Sequence, residues 1–119
     1  GLGNMGKIHK RIIENTKNVS LVGILDSSFP KEVSINNKIK RYNKFSQINF
    51  EDEKIDGVVI SSTTATHYDL AKKILALNIP VFIEKPVSTK INAPKPPIIP
   101  IATEPMLIFL KAFFLNSFI

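Results

Sequence analysis

A chain of 119 residues, 44% of them apolar, is long enough for one small domain with a buried core and too short for a two-domain enzyme. Sixteen Lys and Arg against ten Asp and Glu give a formal charge of +6, spread over segments such as 7–17, 38–44 and 72–73; without interleaved aromatics this reads as a solvated lysine-rich surface and no nucleic-acid partner is expected. With no Cys and only His9 and His67, disulfide scaffolds and cysteine nucleophiles are excluded, and no metal site is expected.

The chain opens on Gly1-Leu2-Gly3-Asn4-Met5-Gly6, a G-x-G-x-x-G turn. In a dinucleotide-binding βαβ unit the first glycine makes the strand-to-helix turn, the second lets the backbone approach a pyrophosphate, and the third lets the helix pack closely on its strand. Phosphates then meet free N–H groups at a positive helix end, here in the turn that holds Asn4 and Met5. The alternative is an ordinary small-residue turn, and the strand expected before Gly1 is missing from the sequence. From Asn4 to about Asn18 the residues Met5, Ile8, Ile12 and Ile13 recur at helical spacing, which predicts an amphipathic helix with Lys7, Lys10, Arg11 and Glu14 facing away.

Val19–Leu25 is a nearly all-apolar run, as for a parallel strand buried on both faces, and Asp26-Ser27-Ser28 ends it. Residues 30–40 read as a short helix or loop, Arg41-Tyr42 as a brief strand and 45–53 as a connecting turn. Gly57–Ser61 is a second buried strand running into the hydroxyl-rich Ser61–Thr66, whose last members can cap a helix over about His67–Leu77. Asn78 suits the C-terminal cap, Pro80 forbids continuation, and Val81–Ile83 is a third buried strand closed by Glu84-Lys85-Pro86. Strand and helix alternate, the pattern of a parallel sheet with helices on its faces. Beyond Ile91, Pro94, Pro96, Pro97, Pro100 and Pro105 rule out a regular helix. The apolar stretch 106–119, broken by Lys111, falls short of the roughly 20 residues that span a bilayer. No signal-peptide pattern opens the chain, so a cytoplasmic protein without a membrane span is expected.

Asp26 lies twenty residues after Gly6, at the end of a strand. There a carboxylate accepts hydrogen bonds from the adenosine ribose and repels a 2′-phosphate, which predicts NAD in preference to NADP. A turn-forming Asp is the alternative, and Ser27 and Ser28 leave hydroxyls that can help hold a phosphate.

Gly1–Gly6, Asp26, Ser61-Ser62-Thr63-Thr64-Ala65-Thr66-His67 and Val81-Phe82-Ile83-Glu84-Lys85-Pro86, in this order and at these separations, resemble the cofactor domain of the Gfo/Idh/MocA family of NAD(P)-dependent oxidoreductases. The resemblance runs from Gly1 to about Asn92, and Glu-Lys-Pro after a buried strand is its most specific part. It implies an α/β fold of the Rossmann type, a doubly wound parallel sheet that is incomplete because its central first strand is missing. It also implies a nicotinamide dinucleotide as cofactor and, in the full-length protein, a sugar, sugar-nucleotide or polyol substrate and room for a homo-oligomer.

Carried over by residue, the resemblance puts Lys85 between nicotinamide and substrate as the catalytic group aiding proton transfer, a role that suits a desolvated lysine. Glu84 would contact or orient the nicotinamide side and Pro86 would fix the turn. The segment from Ser62 to His67 corresponds to a Thr-Pro-x-x-x-His pattern that lies against the cofactor, with Ser62 and Thr63 standing where the family has Thr and Pro. His67 either touches the cofactor or substrate edge or opens the following helix. His9 reads as a surface or packing residue.

Residues 1–92 are therefore expected to form a partial dinucleotide-binding domain and 93–119 an atypical tail, as a truncated or frame-shifted reading of a longer gene would give. Without a central strand, 19–25 and 57–61 would each lose a neighbour, unless Ile98-Ile99 or Leu107–Leu110 fills the gap. The resulting expectation is an oxidoreductase fragment that does not turn over substrate alone. The alternatives are a catalytically inactive nucleotide-binding module or subunit, and a fragment whose segment 106–119 docks on a partner or a bilayer.

Overall fold

The computed structural model describes residues 1–87 and, as backbone, Leu110–Leu115. Helix α1 (Asn4–Glu14) leads to strand β1 (Val19–Leu25), and a loop without helix leads on to the short β2 (Lys40–Tyr42). A 3₁₀ turn (Phe45–Gln47) and the single-turn α2 (Phe50–Glu53) precede β3 (Gly57–Ile60). Then follow α3 (Thr64–Leu75), β4 (Val81–Ile83) and β5 (Leu110–Leu115).

The five strands form one parallel sheet in the order β2-β1-β5-β3-β4. β5 takes the central place. It pairs with β1 from Val19↔Leu110 to Leu25↔Leu115, with a register shift between Leu21 and Gly23, and with β3 from Gly57↔Ala112 to Ile60↔Leu115. The expected gap is thus closed by a segment that starts where Leu107–Leu110 ends, and neither β1 nor β3 is left with an open edge. The expected helix start at Val87–Asn92 and the proline-rich stretch lie outside the described residues, apart from Val87 itself.

Period-2 alternation along the buried strands builds a core on each face. Leu25, Val58 and Ile60 pack with Leu70, Ala71 and Ile74 of α3 and with Ile48, Ile55 and Ile79. Ile24 and Val59 point the other way, to Leu2, Ile13 of α1, Ile35 and Ile39. Helices on opposite faces of a parallel sheet make this a doubly wound α/β fold, as expected.

α1 departs from the expected packing. Met5, Ile8 and Ile12 are 43%, 40% and 53% exposed, and only Gly6 and Ile13 of this helix are buried. The missing Cβ of Gly6 lets the start of the helix close on the chain, so contact is made by that turn and by Ile13 and not by the full apolar stripe. α3 begins three residues earlier than expected, at Thr64 after the N-cap Thr63, and ends at Leu75; Leu70, Ala71 and Ile74 are buried, while Leu77, past its end, is 47% exposed. Asn78 after it has φ 57°, the left-handed conformation that suits Asn beyond a helix end.

Candidate functional site

The parallel topology brings the C-terminal ends of the strands together, and three of the sequence-predicted segments meet there. A cleft of about 310 Å³ is lined by Gly3, Asn4 and Met5 from the glycine turn, Ser61–Thr64 and His67 from the β3–α3 connection, and Glu84 and Lys85 after β4. In open α/β sheets this end is where ligands bind. Its volume is at the small end of ligand clefts, room for part of a dinucleotide.

The glycines differ in what they do. A Cβ on Gly6 would stand 1.5 Å from the Gly1 carbonyl oxygen and 2.6 Å from its carbon, with Ser61 Oγ at 3.1 Å, so the turn closes only around a glycine. Ser61 Oγ donates to the same Gly1 oxygen at 3.2 Å and ties the turn to the end of β3. Gly3, the N-cap of α1 at φ −65°, would carry a Cβ that meets nothing within 4 Å. The fold itself therefore does not require glycine there, and the space such a Cβ would enter opens beside the cleft.

Asn4, Met5 and Gly6 occupy the first helical turn, whose N–H groups have no partner inside the helix. Neither α1 nor α3 has a side-chain cap bond or an acidic residue in its first turn. With Lys85 at the rim, the donor set fits a phosphate-bearing ligand.

Asp26 is 3% exposed and lies against the glycine turn, outside the residues lining the cleft. Its Oδ2 accepts the Leu2 N–H at 2.7 Å and its Oδ1 the Ser28 N–H at 3.0 Å. Asn43 Nδ2 donates to the Asp26 carbonyl at 3.0 Å. The carboxylate thus fixes the entry to the turn, which the glycine spacing alone did not announce.

His67 is 1% exposed. Its Nδ1 lies 3.0 Å from the Pro86 carbonyl oxygen and its Nε2 3.0 Å from that of Ser62. A neutral imidazole donates to one of these carbonyls and an imidazolium to both. In either form the ring joins the Ser62 loop to the turn after Lys85, whose Lys85–Pro86 peptide is cis. Thr63 is the N-cap of α3, Thr66 N–H donates to its carbonyl at 2.9 Å, and the Ser62 and Thr66 hydroxyls lie 2.7 Å apart.

His9, read from the sequence as a surface or packing residue, packs on Phe82 and also joins the Glu84 turn. Its Nε2–H donates to Glu84 Oε1 in a close hydrogen bond, both side chains being under 20% exposed, and its ring meets Phe82 edge-on at 5.4 Å. Glu84 Oε2 accepts the Lys85 N–H at 3.3 Å. The bond from His9, foremost, and that from Lys85 hold the Glu84 carboxyl below its ordinary pKa. Lys85 itself is exposed at the rim, not enclosed as the resemblance implies, because it stands past the end of the short β4 with one wall of the cleft beside it.

A family model described as an oxidoreductase family with an NAD-binding Rossmann fold matches residues 1–96. The chain is also similar to the rhizopine catabolism protein MocA of Rhizobium meliloti, at 30% identity over 87 residues, 72% of this chain and 27% of that protein. The chain thus spans about a quarter of the length of that relative. No solved structure matches. Among the described residues no helix is long and apolar enough to cross a membrane, and no group of His, Asp and Glu could hold a metal ion.

Proposed function

The chain belongs to the Gfo/Idh/MocA oxidoreductase family, with its NAD-binding Rossmann fold, and from that premise we propose that it is the cofactor-binding part of an enzyme that moves hydride between a nicotinamide and a sugar, sugar-nucleotide or cyclitol hydroxyl carbon. The observation that carries the reading is that Gly3, where a Cβ would meet nothing within 4 Å, and the uncapped first turn of α1 line one cleft together with Lys85. The pyrophosphate would lie on Gly3 and the first turn of α1 at Asn4 and Met5, with Gly1 and Gly6 shaping the turn behind it, against Ser62 and Thr63 and with His67 in the wall. When bound, the nicotinamide supplies the hydride acceptor. Lys85 Nζ would accept the proton of the substrate hydroxyl as the carbon is oxidised, and return it in the reverse direction. Glu84 holds the Lys85 backbone at the nicotinamide end.

NAD is the preferred form on this reading, because the Asp26 carboxylate sits beside the glycine turn, where a 2′-phosphate would meet its charge. On this reading the cofactor unit comprises residues 1–92 together with the central strand Leu110–Leu115. Exclusion of water over Lys85, and the substrate pocket, fall to parts of a longer protein, so the 119-residue chain is expected to bind cofactor without turnover. Calorimetric titration of the chain with NADH and NADPH tests this. NADH should bind and NADPH should bind more weakly. Equal affinities would remove the stated preference, and steady NADH production from a polyol by the chain alone would refute the division of labour.

A further inference from the structure

On the cofactor-binding reading above, we propose that His9 is a positioning residue for Lys85, acting through the Glu84 carboxylate. The three residues form one continuous relay: His9 Nε2–H to Glu84 Oε1, and Lys85 N–H to Glu84 Oε2. Its two ends belong to different sides of the cleft. His9 rides on α1, three residues beyond the first turn that would carry the phosphates, while Glu84 and Lys85 follow β4. The Glu84 N–H donates to the Ile60 carbonyl at 3.0 Å and continues the β3–β4 pairing, so the base of the carboxylate is fixed by the sheet. Its head is fixed by His9, whose ring Phe82 holds from the side. With both oxygens engaged, Glu84 serves as a strut between helix and turn and presents the Lys85 side chain at a set distance from Gly3. His67 restrains the far end of the same turn through the Pro86 carbonyl and does not touch the strut.

A strut of this kind acts on the nicotinamide end of the ligand and not on the adenosine end, where Asp26 lies on the other side of the glycine turn. The chain and its variants His9→Ala, His9→Gln and Glu84→Gln are titrated with NADH and with ADP-ribose, which lacks the nicotinamide. The Lys85 amide is followed by ¹⁵N–¹H NMR in the absence of ligand. His9→Ala should weaken NADH about tenfold, the scale of one charge-assisted hydrogen bond, and leave ADP-ribose within about twofold. His9→Gln, which keeps an N–H donor at similar reach, should recover most of the loss. The Lys85 amide resonance should move in His9→Ala and Glu84→Gln and return toward its position in His9→Gln. Equal weakening of both ligands, or an unmoved Lys85 amide, would overturn the relay. If neither ligand binds the parent chain the cofactor reading falls, and the NMR arm still decides whether His9 sets the Lys85 backbone.

Discussion

Gly3 and Gly6 are the same residue type in one motif, yet their surroundings predict opposite outcomes for the same substitution. Gly6→Ala drives a Cβ into the Gly1 backbone, which has no side-chain freedom with which to yield, and should cost about 1–3 kcal/mol or more in denaturant unfolding. Gly3→Ala meets no atom and has an ordinary φ, so stability should stay within about 0.5 kcal/mol, while NADH affinity falls about tenfold as the methyl takes the phosphate's space. Loss of stability in Gly3→Ala, or unchanged affinity, would separate the motif from phosphate binding. Glu84 gives a pH prediction. Its carboxyl is held below the ordinary value by His9, so the unfolded chain binds more protons in acid. The stability it contributes is complete above the unfolded carboxyl pKa and is lost as pH falls through the lower folded value. Glu84→Gln should therefore be less stable than the parent near neutral pH, with the difference shrinking as pH falls through the lowered carboxyl value. The glycines were legible because their spacing is local, whereas His9 was not, since its partner lies 75 residues along the chain.

At the scale of elements, α1 separates pattern from packing. The sequence assigns Met5, Ile8, Ile12 and Ile13 to one apolar face, but the buried side is set by where Gly6 allows the helix to approach. Ile13→Ala should cost about 2–4 kcal/mol and Ile12→Ala under about 1 kcal/mol, measured by chemical unfolding. Similar losses would mean that the stripe is buried after all. The strands β1, β3 and β4 and the helix α3 were readable because consecutive apolar runs, the hydroxyl-rich cap region and Asn78-Ile79-Pro80 all point the same way, but β4, expected to be buried, is an edge strand with Phe82 56% exposed, because an apolar run does not say where in the sheet it lies. Between β1 and β2 the sequence left helix or loop open and the structure has the loop, while the single-turn α2 inside the expected connecting turn was not readable, because Asn49, accepting the Asp52 N–H, caps a helix of only four residues.

For the whole molecule, the decisive element is β5. Leu110–Leu115 is apolar enough for a buried strand, but no local signal says which sheet position it takes, since pairing partners are fixed by tertiary contacts. Among the described residues it is the strand that joins β1 to β3, and the sheet without it falls into two ribbons, β2-β1 and β3-β4. A two-stranded ribbon is marginal in water, and opening the centre of a parallel sheet exposes two rows of unpaired backbone groups where water would have to replace strand partners. The Ser61 loop and the Glu84 turn are both carried by β3-β4, whereas the glycine turn leads through α1 into β1 of the other ribbon, so the cleft depends on the same strand. A chain ending at Asn92 should therefore lose its cooperative unfolding transition in circular dichroism and its affinity for NADH. A synthetic peptide covering 107–119, supplied in trans, should restore part of both. If instead the shortened chain folds, binds NADH and aggregates less than the full one, the apolar C-terminal stretch is a docking segment and the centre of the sheet is closed some other way, for which chain exchange between two copies would be the next measurement.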